Sequence, residues 1–195
     1  VVVATGSAPI PLPFPGADLL LDSAGLFQRE DLPRRVVFVG AGYVATELAS
    51  VARLAGAEVT LLEMGPRLLP LFDPDLAHRL ADLLRASGLE LRLGHTVTGV
   101  ERTGEGLAVH AEHDGGEVTL AADLVVHGAG RRPQLAGLNL EAAGVTYGPA
   151  GVAVDDDLRS VSNPQVLAAG DCANTPLWPL TPAAELEARI VRESI

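Results

Sequence analysis

Residues 40 to 45, GAGYVA, set two glycines and an alanine at the spacing G-x-G-x-x-A. That spacing serves one kind of chemistry, the holding of an anion by backbone amides. Gly40 allows a tight turn, Gly42 lets the backbone come close to a pyrophosphate, and Ala45 is small enough for a helix to pack closely on a strand. The amides that open the following helix, at Tyr43 and Val44, then face the anion along the helix dipole. Glu63 stands 21 positions after Gly42. A carboxylate there accepts from a ribose 2′-hydroxyl and repels a 2′-phosphate.

These residues need a strand before the turn, a helix after it, and a second strand ending at Glu63. Val36 to Val39 is a short apolar run stopping at Gly40, Tyr43 to Ala55 carries small and apolar residues at helical spacing, and Val59 to Leu62 is apolar again. The stretch is therefore a βαβ half-unit of the length used for dinucleotide binding. Glu63 favours NAD(H) over NADP(H).

Around it the spacing predicts a strand over 1–5, a Pro-rich extended crossing at 6–20, and a short helix over 23–28. A helix follows in FDPDLAHRLADLLRASG, capped by Asp73 or Asp75, with Leu76, Leu80, Leu83 and Leu84 as its apolar stripe and Gly88 at its end. Leu89 to Leu93 reads as a strand. TVTGVERT, GLAVHAEH and EVTLAAD alternate and are separated by GEG and DGGE, the pattern of an antiparallel meander. DLVVHGAGRRP and VLAAGDCA read as buried strands ending on glycines, and residues 182–195 as an amphipathic helix. The expected class is α/β, a Rossmann-like parallel sheet with an added antiparallel meander.

The chain has 195 residues and a formal charge of −11, and all its basic residues are arginine. Without lysine there is no Schiff base and no P-loop lysine. The acidic balance argues against nucleic acid as a partner, since phosphate neutralisation supplies most of that affinity. No apolar run is long enough to span a membrane and none has signal-peptide form, so no membrane partner is expected. The single Cys172 excludes an internal disulfide and favours a reducing, cytoplasmic compartment. An opening inside a strand without Met suggests a segment of a longer chain.

Taken in order, VVVATGSAP, SAGLFQREDLP, VGAGYVATELA, FDPDL, GAGRRP, LAAGDCA and LTPAA resemble the pyridine nucleotide-disulfide oxidoreductases, specifically the glutathione reductase, dihydrolipoamide dehydrogenase and mercuric reductase group. The resemblance spans essentially the whole chain and implies the middle of such an enzyme. On that pattern residues 1–8 end an FAD-domain segment, 9–132 form the NAD(P) domain, and 133–195 return to the FAD domain. Thr5 and Gly6 of the ATG strand, and Gly130 and Arg131 of GRRP, are carried over as cofactor-binding positions. Asp171 would bond the FAD ribitol, and Leu180 and Thr181 would bring a helix start to the flavin pyrimidine edge. Tyr43 would be the ring that covers the flavin and swings aside for nicotinamide, and Glu47 would hold the carboxamide.

The implied reaction passes hydride from NADH to FAD and on to a disulfide or metal substrate in the full-length enzyme. Dimerisation would run through a domain absent here, and this segment would hold no catalytic residue and no metal ligand. Alternatives are an FAD enzyme without a redox disulfide, such as an NADH oxidase or ferredoxin reductase, and a non-catalytic NAD(H) module. NADPH-using members commonly carry Arg at the positions of Met64 and Pro70, which supports Glu63, although Arg67 lies nearby. After LTPAA the chain departs from the family pattern with Glu185, Leu186 and Glu187. Cys172 is expected to pack, His110 and His113 to lie on opposite strand faces, and His78, His95 and His127 to be structural or solvated.

Overall fold

The computed structural model describes residues 1–195. The chain forms two compact units, Pro11–Gly130 and the pair of segments Val1–Ile10 and Arg131–Ile195. The junctions fall at 10/11 and 130/131, where the sequence pattern suggested 8/9 and 132/133. In chain order, β1 is Val2–Val3 and β2 is Ser7–Pro9. The continuous unit then contains α1 Ser23–Phe27, β3 Arg35–Val39, α2 Tyr43–Leu54, β4 Glu58–Glu63, α3 Pro74–Ala86 and β5 Glu90–Leu93. It closes with β6 Thr96–Thr103, β7 Gly106–His113, β8 Gly116–Ala122 and β9 Leu124–His127. Beyond it lie β10 Arg131–Pro133, β11 Tyr147–Gly148, β12 Gly151–Ala153, β13 Leu167–Ala168, β14 Ala173–Asn174 and α4 Thr181–Ser194.

In the continuous unit a parallel sheet runs in the order β5-β4-β3-β9, and β6-β7-β8 form a separate antiparallel meander. β3 is apolar on both faces because both are covered. Val36 and Phe38 pack with α2 and α3, while Val37 and Val39 pack with Val100, Val109 and Val125 on the meander side. The class is thus α/β with a parallel Rossmann-type sheet and an added meander.

Three expectations change. The stripe of α3 is Ala77, Ala81 and Leu84, whereas Leu76 and Leu83 are 70% and 59% exposed. Alanines let the helix approach the sheet closely, so packing distance rather than hydrophobicity chose the face. Only Asp73 caps this helix, accepting from Asp75 N and Leu76 N at 3.0 and 3.1 Å. The strand expected over residues 1–5 is only Val2–Val3, paired in parallel with Leu167–Ala168, and Gly6 at φ +65° turns the chain into β2, which pairs antiparallel with β10. VLAAGDCA likewise contributes two strand residues before Gly170, at φ +75°, breaks it. No helix is long and apolar enough to cross a membrane.

Asp123 ties the starts of β3 and β9. Its carboxylate accepts from Arg35 N at 2.9 Å and from the Arg35 guanidinium at 2.5 and 3.2 Å, while Asp123 N donates to Arg35 O at 2.9 Å. The Arg35 side-chain hydrogen bond, then the Arg35 amide, hold the Asp123 carboxyl below the usual carboxylate range. A lowered native value means the stabilisation is present above the unfolded value of about 3.9 and is lost as pH falls through the native one. Asp123→Asn is therefore expected to unfold at lower urea than the parent at pH 7. The gap should close as the titration is repeated toward pH 2; a gap that stays constant with pH would rule out the ion pair as its source.

Candidate functional site

The glycine turn is set by two close approaches. Gly40 has φ +95°, and a Cβ built on it would sit 2.6 Å from both Ala129 Cα and Gly128 O, so only glycine fits. A Cβ on Gly128 would lie 2.4 Å from Ala45 Cβ. The small third position of the motif therefore packs α2 against the backbone that leaves β9. Gly42 differs: its backbone is extended (φ −71°, ψ 176°), and a Cβ there would meet only Gly128 O, at 3.9 Å. Gly42 faces open space as N-cap of α2, and no side chain caps that helix start.

Glu63 is no solvated strand end. Its Oε2 accepts from Ala41 N at 2.8 Å and its Oε1 from Gly65 N at 2.7 Å. The carboxylate thus joins the glycine turn to the loop after β4. Each oxygen keeps a lone pair for a further donor.

Gly40, Ala41, Gly42 and Glu63 line one side of a cavity of about 720 Å³, with Gly130 at its edge. Met64, Pro70 and His95 also line it, and residues not singled out in the sequence complete it: Leu12 to Phe14 of the Pro-rich segment, Leu71, and Thr96 to Thr98 at the start of β6. The Pro-rich segment is held there by Val100 N donating to Pro15 O at 3.0 Å and by Gly16, whose backbone at φ +77° leaves no room for a Cβ beside Val100 O. A Pro-Phe-Pro-Gly run beside a strand was a weak signal of such a wall. Tyr43 and Val44 pack half-buried against the core on the helix side, Ala45 is fully buried, and Glu47 is exposed on α2; none of the four lines the cavity.

The second unit holds the remaining positions. Ser7 Oγ donates to Asp171 Oδ2 at 2.7 Å, and Arg131 donates to Ser7 Oγ at 2.9 Å and Ser7 O at 2.6 Å. Ser7, missed in the sequence, bridges Asp171 and Arg131. Thr5 is exposed and Gly6 O accepts from Gln134 N at 2.8 Å. Leu180 is the N-cap of α4 and Thr181 its first residue, again without a side-chain cap. Glu187 is 3% exposed and accepts from Gly170 N at 2.6 Å and Thr175 Oγ1 at 2.7 Å. Of the three residues that depart after LTPAA, Glu187 thus points inward and fixes the turn carrying Asp171, while Glu185 and Leu186 are exposed. Cys172 is buried, its Sγ 3.2 Å from Ala169 O and 3.4 Å from Val3 O.

One histidine has a partner that the sequence did not show. His95 is partnered, its ring stacked on that of His113 with centroids 4.1 Å apart and planes 6° from parallel. Residues 95 and 113 meet only because β6 and β7 pair antiparallel, a register no local spacing displays. His110 lies against Thr119 Oγ1 and Glu101 Oε1, and no cluster of three or more His, Cys, Asp or Glu is placed to hold a metal.

A parallel sheet with this turn, an acidic second-strand end and an added meander defines a Rossmann-type fold. Residues 1–188 match the family model described as pyridine nucleotide-disulphide oxidoreductase, and the chain belongs to that family. It is 33% identical over 186 residues to a mercuric reductase of Staphylococcus aureus, covering 94% of this chain and 34% of that protein. It is 33% identical over 196 residues to a dihydrolipoyl dehydrogenase of Bacillus subtilis, covering 100% and 41%. The HOCl-induced flavoprotein disulfide reductase RclA of Escherichia coli superposes with a TM-score of 0.88 at 30% identity, over 100% of this chain and 44% of that one. The chain therefore spans less than half the length of these relatives.

The Ala45–Gly128 contact generates a direct test. Gly128→Ala should destabilise the chain by about 1–3 kcal/mol, the usual cost of overpacking a close contact. Gly104→Ala, where a Cβ meets nothing within 4 Å, should stay within about 0.5 kcal/mol of the parent. Denaturant midpoints measured side by side would decide, and equal effects would dismiss the close approach.

Proposed function

We propose that the unit Pro11–Gly130 binds NAD(H) for a flavin-dependent pyridine nucleotide-disulfide oxidoreductase. The observation that carries this reading is the Glu63 carboxylate fastened to the amides of Ala41 and Gly65 at the rim of the cavity that Gly42 opens onto. The dinucleotide fits on the evidence of Gly42, where the space a Cβ would fill is open. The pyrophosphate would lie over Gly42 and the uncapped start of α2, where helix amides and dipole favour negative charge. Glu63, already oriented, would accept from the adenosine ribose with little ordering cost.

When bound, the nicotinamide supplies a hydride for the flavin, which the family passes to a disulfide. In the other unit Asp171, positioned by Ser7 and Arg131, would accept from the FAD ribitol, and the start of α4 at Leu180 and Thr181 would favour negative charge on the reduced flavin. The sheet brings Gly40, Gly42, Ala45 and Glu63 together. Tyr43, half-buried at the start of α2, and Glu47, exposed one turn further on, would act on a nicotinamide reaching past the cavity lining.

Calorimetric titration of the chain at pH 8 should give tighter binding of NADH than of NADPH by about tenfold or more, because a 2′-phosphate would meet the Glu63 carboxylate. Equal or reversed affinities would remove Glu63 from the ribose site. Gly42→Val should abolish binding of both nucleotides while the chain still folds, its stability lowered by about 0.5–2 kcal/mol because valine is a poorer N-cap than glycine. Undiminished affinity in that folded variant would take the glycine turn out of the site.

A further inference from the structure

The sheet sets the direction in which the adenine half of the nucleotide must run. With the strands in the order β5-β4-β3-β9, the glycine turn leaves β3 and Glu63 ends β4, so a dinucleotide passing from Gly42 to Glu63 continues toward the end of β5. His95 stands there. Its amide donates to Glu63 O at 2.9 Å, Gly94 N donates to Gly65 O at 3.0 Å, and both Glu63 and His95 line the cavity. The loop after β4 adds Met64, Pro70 and Leu71 to the same cavity. Met64 and Leu71 are 72% and 77% exposed, and Arg67 holds their loop by donating to Phe72 O at 2.9 Å and to Pro70 O. Exposed apolar side chains beside a fixed imidazole suit a flat aromatic base.

His95 offers that base a hydrogen-bond acceptor. Its Nδ1 is 2.8 Å from Leu93 O, and because a carbonyl only accepts, the ring hydrogen sits on Nδ1 and Nε2 keeps its lone pair. Nε2 has no partner in the chain, and no buried side-chain nitrogen is left unpartnered, so this atom of the half-buried ring is open to solvent. The ring plane is held by His113, stacked 4.1 Å away and 6° from parallel, whose own Nδ1 is 3.0 Å from Gly94 O. Thr96 and Thr98 also line the cavity, but a hydroxyl donates or accepts and so does not distinguish one base edge from another.

We propose that His95 selects adenine over other purines in the dinucleotide. Its Nε2 accepts from the exocyclic amine at C6 of adenine. Hypoxanthine and guanine carry a carbonyl oxygen at C6, which would set two acceptors against each other and leave both unsatisfied. His113 is a positioning residue that keeps the acceptor in place. The inference rests on the nucleotide reading of this cavity.

The measurement is calorimetry of the full chain at pH 8 with NADH and with deamino-NADH, which carries hypoxanthine in place of adenine. The parent should bind NADH about tenfold more tightly, the factor expected of one unsatisfied, partly solvated acceptor. His95→Phe, which keeps an aromatic ring for the stack, should bring the two affinities together by weakening NADH alone. His113→Ala, which removes the stack, should narrow the difference. A general loss of binding moves both affinities equally, so the ratio separates base selection from a merely structural role. In the parent labelled with ¹⁵N-histidine, the His95 Nε2 resonance should move upfield on saturation with NADH and not with deamino-NADH, a readout that needs no variant. Equal affinities in the parent, or an unchanged ratio in a His95→Phe chain that still binds NADH, would overturn the selection and leave the nucleotide reading standing. Absence of NADH binding to the parent would overturn both.

Discussion

Where β3 ends, two backbones run so close that a methyl group cannot come between them. Gly40 lies against Gly128 and Ala129, and Ala45 of the following helix lies against Gly128. This contact fixes how near α2 comes to the sheet and therefore where the start of that helix points. A helix standing further off would still fold, because Val36, Phe38 and Leu48 would bury much the same surface. It would aim its first amides elsewhere, and the open face of Gly42 would no longer meet them.

Glu63 converts that geometry into chemistry. A carboxylate that accepts two backbone amides is oriented before any ligand arrives, and its charge is spread over fixed dipoles. The same bonds make it a structural member, tying the turn to the loop after β4. The side chain proposed to meet the ribose is thus also one that holds the fold. Beside it, the meander contributes more than a cover for the sheet, since β6 supplies Thr96 to Thr98 to the cavity wall and β7 supplies His113, whose ring stacks on that of His95 just before β6.

In the other unit polar groups do the comparable work. Arg131, Ser7 and Asp171 form one hydrogen-bonded series drawn from residues far apart in the chain. Glu187 holds the adjacent Gly170 turn from the buried face of α4. A buried carboxylate without a cationic partner is costly unless its oxygens are satisfied, and here a backbone amide and the Thr175 hydroxyl satisfy them. Glu187, one of the three residues that depart from the family pattern, is a fixed internal brace.

The sequence by itself determined the βαβ half-unit, the meander and the glycine turn, because each rests on local periodicity or on a conformation that only glycine adopts. The order of family motifs also carried the class, the family matching over residues 1–188. Tertiary structure alone decided what depends on distance between elements. The buried face of α3 went to Ala77 and Ala81 rather than to the more hydrophobic Leu76 and Leu83, because closeness to the sheet outweighed side-chain size. Gly128 was recognisable as a strand end, but its lack of room for a Cβ follows from Ala45, 83 residues earlier. His95 and His113 meet through strand register, and Ser7 reaches Asp171 across the chain. Such contacts are set by packing among distant segments, and no short window of residues contains both partners.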